Sequence, residues 1–220
     1  MEKLLTVAHI FRSTGKEQAD AYLDDWGLKP LERGLVFDTT SSNIRLKMGA
    51  RTKIEQSLHT SLAWIPCRHH VFEVMLSDIF SLTFGNSGGP DVGLFKRFKK
   101  HWPLINKDAF NSSNDTLHTC SDTITLRKEM LEYCRDAINS KQPRDDYLEL
   151  LHLCRIFLGD SSANDLTFRA PGAVHNARWM AKAIYSLKLY IFREQFELNA
   201  RELKGVTDVS LFVAIIYCRF

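Results

Sequence analysis

Two spacings of apolar residues follow one another along the chain, and the change comes near residue 66. Two short apolar runs come before it. Gly34 to Phe37 is followed by a polar turn, and residues 62–65 are followed by a proline. Short apolar runs that end in this way are typical of buried strands. A helical segment, residues 47–59, lies between them. Its inner face is expected to hold Met48, Ile54 and Leu58. Because parallel strands need a crossover of a dozen or more residues, usually a helix, the pattern predicts two adjacent parallel strands.

Elsewhere the apolar residues recur at the spacing of helices. The clearest helix covers residues 69–84, and its apolar residues at helical spacing are Phe72, Met75, Leu76, Ile79 and Phe80. A helix over residues 13–26 can be capped by Ser13 or Thr14. Further helices are predicted over residues 94–102, 125–139, 146–158 and 174–199. The last apolar run, residues 209–218, fits a buried helix, although its periodicity is also compatible with a strand.

The order of these elements indicates the fold class. Helices alternate with strands before residue 66, which favours a parallel, helix-covered sheet, and helices dominate afterwards. The sequence therefore predicts a helix-rich α/β protein. Its α/β region is expected over residues 1–102, and a mostly helical region over residues 103–220 is expected to pack with it as one unit. Deep burial is expected for Phe72, Met75, Ile79, Trp179 and Ile184.

Composition narrows the class of protein. Of the 220 residues, 45% are apolar and 25% are charged, which is ordinary for a globular protein and argues against overall disorder. The five cysteines are widely spaced without a CxxC pair, which favours reduced thiols in an intracellular protein, nuclear or cytoplasmic. No signal peptide is evident, and no apolar run is long enough to cross a bilayer, so no membrane partner is expected. The net charge of +3 does not by itself indicate a nucleic-acid partner.

Asp38 is the first candidate for chemistry. It follows the first predicted strand at the carboxyl end, where open α/β sheets place their ligands, and it leads into the polar turn DTTSSN. A carboxylate there can bind Mg²⁺, which favours one or two carboxylates together with substrate phosphates. The alternative is an aspartate that caps the next helix or closes a turn.

A second candidate follows the second strand, where Cys67 and His70 are separated by two residues. This spacing is that of half a zinc site, but a structural site normally has four ligands, and no second half is evident in the sequence. The alternative is a buried thiol and a histidine that hold a turn near a helix start.

A third candidate is a basic cluster in the helix predicted at residues 94–102. Its members are Lys96, Arg97, Lys99 and Lys100. They alternate with Phe95, Phe98 and Trp102, a combination that can bind nucleic-acid phosphates with aromatic support. The alternative is the solvated face of an amphipathic helix.

Three short motifs in the sequence resemble hAT-type transposases. The run VFDTTSSN around Asp38 is similar to the second catalytic strand of that family, and Cys67 and His70 match its C-x-x-H motif. Arg178 and Trp179 resemble the Arg-Trp pair that opens a later helix of the family. Longer stretches, CRHHVFEVML, SGGPDVGLFKRF and APGAVHNARWMAKAIYSLKLYIF, also resemble a group of uncharacterised, transposon-derived animal proteins over most of residues 14–220.

The resemblance implies a ribonuclease-H-like fold, of which this chain would hold a partial parallel sheet followed by a helical region. In that family acidic residues hold two metal ions for phosphodiester cleavage. Asp38 would be the second acid, with Cys67 and His70 structural or close to the active site. The first acid is expected several strands before Asp38, yet only 37 residues precede it. The candidates for the last acid, Glu194, Glu197 and Glu202, lie on what is predicted to be a solvated helix face.

These departures favour a transposase-derived fragment that does not catalyse, since one carboxylate cannot position two cations. No cofactor follows from the sequence for such a fragment, which is expected to bind DNA or protein weakly. One alternative is a metal-dependent nuclease with Asp38 as an Mg²⁺ ligand, and another is a helical protein-interaction module. Missing strands would leave an open sheet edge and exposed apolar surface, so self-association is also expected.

Overall fold

The computed structural model describes residues 14–26, 34–85, 92–113, 121–142, 145–160, 167–172 and 179–219. The elements in these ranges are α1 (Gly15–Trp26), β1 (Gly34–Phe37), α2 (Ser41–Ile44), α3 (Ala50–Leu58), β2 (Ala63–Pro66), α4 (Arg68–Phe84), α5 (Gly93–His101), α6 (Ser121–Ile138), α7 (Asp145–Phe157), α8 (Trp179–Ile191) and α9 (Ala200–Ile215). Short 3-10 turns cover Trp102–Leu104, Arg193–Gln195 and Tyr217–Arg219. The protein therefore belongs to the helix-rich α/β class, as the sequence predicts.

Internal contacts divide the chain into two compact units. The first is Met1–Val71 and the second is Phe72–Phe220, so the division falls inside α4. The boundary predicted at residue 102 lies within the second unit. In the described part of the chain, no helix has both the length and the apolar character needed to cross a membrane.

The two strands of the first unit are parallel neighbours, which confirms the predicted pairing. Gly34 pairs with Ala63 and Phe37 with Pro66, so β2 begins one residue later than expected. Helix α3 lies in the crossover, and it packs against α1. The first turn of α1 comes so close to the backbone at Met48 that a Cβ on Gly15 would overlap the Met48 carbonyl oxygen.

The prediction that these strands are buried is wrong. Only Leu35 is buried among the eight strand residues, whereas Val36 and Ile65 are 67% and 55% exposed. Successive strand residues point to opposite faces, so Leu35 reaches the small core while Val36 faces away from it. Among the described residues the sheet has two strands, and that small core consists of Ala19, Leu35, Ile54 and Leu62. Met48 is also exposed, because α3 begins only at Ala50.

The second unit is built around one large apolar core. On α4 its buried residues are Leu76 and Phe80, with Phe72 and Ile79 packed partly buried against them. Deep burial was the wrong prediction for Met75, which is 40% exposed. It was also wrong for Phe72 and Ile79, which are only partly buried. Residues four apart on a helix share a face, so Leu76 and Phe80 align with Phe72 while Met75 lies to one side of that row.

The helix predicted over residues 174–199 is interrupted. Helix α8 ends at Ile191, and residues 173–178 lie outside the described part of the chain. Asn199 begins α9 instead: its side chain accepts a hydrogen bond from the Glu202 backbone N–H, and the Glu202 side chain accepts one from the Asn199 N–H. This capping box is a start signal for a new helix. Helix α9 shows that most of the last apolar run is helical. On α8, Ile184 is buried as predicted.

Candidate functional site

Asp38 lies directly after β1 and shapes the turn that follows. Its Oδ1 accepts hydrogen bonds from the Thr40 backbone N–H at 3.0 Å and from the Thr40 hydroxyl at 2.6 Å. The Asn43 side-chain amide donates to the same oxygen at 2.7 Å. These bonds hold the start of α2 against the end of β1. The turn-closing interpretation of Asp38 therefore has direct geometric support.

The charge state of Asp38 follows from the same contacts. Partial burial raises the pKa of Asp38, but the hydrogen bonds from Thr40 and Asn43 favour the ionised form, and the charge of His70 adds to them. The net effect lowers the pKa of Asp38 below its ordinary value. Asp38 is consequently an ionised, hydrogen-bonded carboxylate at neutral pH.

Cys67 and His70 lie at the same end of the sheet as Asp38. The Cys67 backbone N–H donates to the Phe37 carbonyl at 2.8 Å, which continues the strand pairing one residue past the two strands. His70 lies on the first turn of α4, near enough to act on the Asp38 carboxylate through its charge. The fold thus brings two candidates that the sequence marks separately, Asp38 and the pair Cys67 and His70, to the same end of the sheet.

The metal predictions at this edge gain no support from the geometry. Among the described residues, no group of three or more histidine, cysteine, aspartate or glutamate side chains is arranged to hold a metal ion. Cys67 is a partly buried free thiol. Mg²⁺ at Asp38 and zinc at Cys67 therefore remain predictions from sequence alone.

Helix α5 carries the predicted basic cluster on its exposed side. Lys96, Arg97, Lys99 and Lys100 are exposed, and the opposite face buries Leu94, Phe95 and Phe98. Arg97 is already engaged, because its guanidinium donates to Glu202 Oε1 and to the Glu197 carbonyl, each at 2.8 Å. Lys99 and Lys100 lie in the last turn, where positive charge is favourable beside the helix carboxyl end.

A cleft of about 920 Å³ opens beside the C-terminal end of α5. Lys100 and His101 line one side of it, and Arg193 and Phe196 belong to the segment that lines the other. His101 Nε2 lies 3.0 Å from the Gln195 carbonyl, which joins the two sides. We call the exposed lysines of α5 together with Arg193 the basic surface.

Arg193 is the member of the basic surface that sequence reasoning missed. The sequence pattern predicts a continuous helix over residues 174–199, in which the Arg193 side chain has no special position. In the structure it lies in a 3-10 turn and donates to the Tyr190 and Ser112 carbonyls at 2.9 and 3.2 Å. The capping box at Asn199 and Glu202 was the signal that could have revealed the break before α9.

The remaining predicted site residues are accounted for differently. Helix α8 is described from Trp179 onward, whereas Arg178 and the Trp179 side chain lie outside the described part. The helix start expected at the Arg-Trp pair therefore stays a prediction. Glu202 serves the capping box and the ion pair with Arg97. Glu194 and Glu197 border the cleft beside α5.

Comparison with known proteins adds no relative to these observations. No family model, no curated protein and no solved structure matches the chain. The structure defines a helix-rich α/β protein with an aspartate–histidine–cysteine edge in one unit and a basic surface in the other.

Proposed function

We propose that this protein is a transposase-derived, non-catalytic binding protein whose basic surface contacts nucleic-acid phosphates. The observation that carries the proposal is the position of Lys100, which is exposed on α5 and lines a cleft that Arg193 also lines. Lys99 is exposed beside it in the last turn of α5. Neutralising phosphates releases condensed counterions, so such a cluster supplies affinity without sequence readout. Phosphate contacts of this kind fix the protein on the nucleic acid but carry no base specificity.

The transposase origin is supported by the arrangement at the sheet edge. In the proposed ribonuclease-H-like core, β1 and β2 are two strands of a once larger parallel sheet. Asp38 follows the first strand and Cys67 and His70 follow the second, which is the order of motifs in hAT-type transposases. The electrostatic effect of His70 on Asp38 fits residues that descend from a single active-site edge.

The lack of catalysis is supported by how Asp38 is used. Two-metal phosphodiester cleavage needs ions roughly 3.5 to 4 Å apart, each held by fixed oxygens. Asp38 Oδ1 instead accepts three hydrogen bonds from the turn that follows β1. An oxygen in that position closes a turn, and a single carboxylate binds Mg²⁺ weakly because the ion gives up its water reluctantly.

The first experiment measures binding of a labelled DNA duplex by fluorescence anisotropy at several salt concentrations. The double variant Lys99→Glu/Lys100→Glu should weaken binding at least about tenfold. It should also reduce the slope of log affinity against log salt by roughly 2, since each lost phosphate contact contributes about 0.9. The matched control is Lys128→Glu/Lys141→Glu, the same charge change at exposed lysines outside the basic surface.

Three outcomes would change the proposal. If the native protein shows no salt-dependent binding, the nucleic-acid role is wrong and a protein-interaction module is favoured. If both double variants weaken binding equally, the contact is a general charge effect.

Supercoiled plasmid with Mg²⁺ or Mn²⁺ tests the nuclease alternative: nicking that disappears in Asp38→Ala would make Asp38 catalytic. Nicking that persists in that variant would come from another site or a contaminant.

A further inference from the structure

A second cavity, of about 380 Å³, lies in the second unit, and the described residues that line it are not those of the cleft beside α5. Helix α7 forms one wall, with Leu153 and Ile156. The segment 167–169 forms the other wall and contributes the ring of Phe168. Small-molecule sites in proteins are mostly apolar cavities of roughly 300 to 1,000 Å³. This cavity therefore has the size and the apolar walls of a ligand site.

Contacts with other elements hold the second wall in place. Lys188 Nζ on α8 donates a hydrogen bond to the Arg169 carbonyl at 2.8 Å. The Phe168 ring meets the rings of Phe110 and Phe192 edge-on, with centroids 5.6 and 4.9 Å apart. Because backbone and ring are both held, a ligand that enters the cavity has little of the wall to order, which favours binding.

The charged side chains that line the cavity are already paired. Arg169 Nη2 lies 3.2 Å from Asp145 Oδ2, and both of these side chains are largely exposed. Glu149 Oε1 lies 2.5 Å from Nζ of the buried Lys188. A charged ligand would lose hydration on entering and would find each of these opposite charges occupied. The arrangement therefore favours an uncharged ligand.

His152 on α7 is the titratable lining residue that the fold leaves without a partner in the described part of the chain. Its Nδ1 is buried and forms no hydrogen bond, so Nε2 is the ring nitrogen that a molecule in the cavity can reach. Burial lowers the pKa of His152, and the positive charge of Arg155 adds to this effect, so the imidazole is neutral at neutral pH. A nitrogen of a neutral imidazole donates or accepts one hydrogen bond, depending on the tautomer.

We propose that this cavity, which we call the His152 cavity, binds an uncharged aromatic small molecule that forms one hydrogen bond with the His152 imidazole. A phenol or an indole has this chemistry. Its ring packs against Leu153, Ile156 and Phe168, and its hydroxyl or N–H group meets the imidazole. The site is independent of the nucleic-acid role of the basic surface, so either proposal can fail without the other.

The experiment titrates the purified full chain at neutral pH with p-cresol, toluene and p-toluate, which share one ring and differ in their polar group. Chemical shifts followed by NMR give the three dissociation constants. The p-cresol hydroxyl can donate or accept, so it suits either tautomer of His152. It should bind roughly fivefold more tightly than toluene, the usual contribution of one neutral hydrogen bond. We expect p-toluate to bind more weakly than p-cresol, because its carboxylate finds no free counter-charge.

A variant assigns the hydrogen bond to His152. His152→Phe keeps a ring on the wall and should remove the advantage of p-cresol over toluene while toluene still binds. The matched control is His69→Phe, at a half-buried histidine outside the lining of the His152 cavity, and it should leave all three affinities unchanged. Nitrogen NMR of the native protein keeps the test decisive if His152→Phe fails to fold. The His152 ring nitrogens should then shift more with p-cresol than with toluene.

Three results would overturn the proposal. Equal affinities of the native protein for p-cresol and toluene would exclude the hydrogen bond with His152. Binding of p-toluate as tight as that of p-cresol would show that the cavity selects a charged ligand, with Arg169 as its partner. The absence of shifts with all three probes up to their solubility limits would mean that the His152 cavity is not a ligand site.

Discussion

The two units of the protein bury apolar residues in very different ways. In the described part of the first unit, Ala19, Leu35, Ile54 and Leu62 form a small core, and most strand residues are exposed. The second unit buries large side chains from α4 to α9 in one continuous core. A small core supplies little stabilisation, since burial contributes about 25 cal/mol for each Å² of apolar surface.

Aromatic contacts make the contrast clearer. In the second unit the ring of Phe95 stacks on Tyr185 at 4.7 Å between centroids, and Phe98 meets Phe196 edge-on at 5.4 Å. In the first unit Phe37 and Trp64 stack at 6.0 Å, and Trp64 is partly exposed. Asp38 and its neighbours, on which the proposed transposase origin rests, therefore belong to the unit with less packing. The turn at Asp38 is held by local hydrogen bonds and does not require a large core. The stability of the second unit, in contrast, depends on its large core.

The largest effect is expected for Phe80→Ala, which removes a fully buried ring from the larger core. Phe80 is 1% exposed and contacts the rings of Phe84 and Phe95. Deleting a buried Phe side chain costs roughly 3 to 5 kcal/mol, because it leaves a cavity as well as losing transfer free energy. Urea denaturation followed by circular dichroism gives the free energy of unfolding.

Two substitutions serve as controls for that comparison. Met75→Ala on the same helix and Val36→Ala in the first unit both truncate exposed side chains. Each should change the free energy of unfolding by less than about 1 kcal/mol. A loss at Val36 as large as that at Phe80 would show that the outer face of the sheet is covered in solution.

A second large effect is expected at a buried ion pair in the second unit. Lys188 is almost fully buried, its Nζ lies 2.5 Å from Glu149 Oε1, and it donates to the Arg169 carbonyl at 2.8 Å. Burial lowers the pKa of Lys188, and the charge of Glu149 opposes that shift. Lys188→Met should cost about 3 kcal/mol, because Glu149 loses its partner inside the protein.

The double variant Glu149→Leu/Lys188→Met distinguishes the pair from its parts. Replacing a buried pair by apolar residues is often neutral, so the double variant should recover most of the lost stability in the same urea titration. Lys204→Met is the matched control, since Lys204 forms an exposed ion pair with Asp208 and should cost less than about 1 kcal/mol. Additive costs in the double variant would mean that the two residues do not act as a pair.

The strand pairing could be predicted from the sequence because two local rules agreed. Short apolar runs that end in polar or proline residues marked β1 and β2, and the helix between them required a parallel arrangement. The exposure of Val36 and Ile65 was not predictable in this way. An apolar run shows that a strand can be buried, but burial also requires another layer of structure.

Two features that the sequence did not predict are the buried ion pair of Lys188 and the position of Arg193 at the cleft. Both depend on residues that are distant in the sequence. The charge of Lys188 is held by Glu149, and Arg193 reaches the α5 cleft only because α8 ends at Ile191. Helical periodicity continued through that end, so the pattern of apolar residues gave no warning of it. The turn at Asp38 could be predicted from the sequence, because the residues that donate hydrogen bonds to its carboxylate, Thr40 and Asn43, follow within five positions.

The smallest effect is expected from the titration of Asp38 in the thinly packed unit. Its pKa is lowered from 3.8 because the hydrogen bonds from Thr40 and Asn43, with the charge of His70, outweigh the opposing effect of burial. A lowered folded-state pKa means that the ionised carboxylate stabilises the fold above about pH 4 and that this contribution is lost as the pH falls through the lowered value. Titration of the Asp38 carboxyl carbon by NMR should give the lowered pKa directly. Thr40→Val, which removes one donor, should raise it toward 3.8, and a native value at or above 3.8 would contradict the hydrogen-bonded turn.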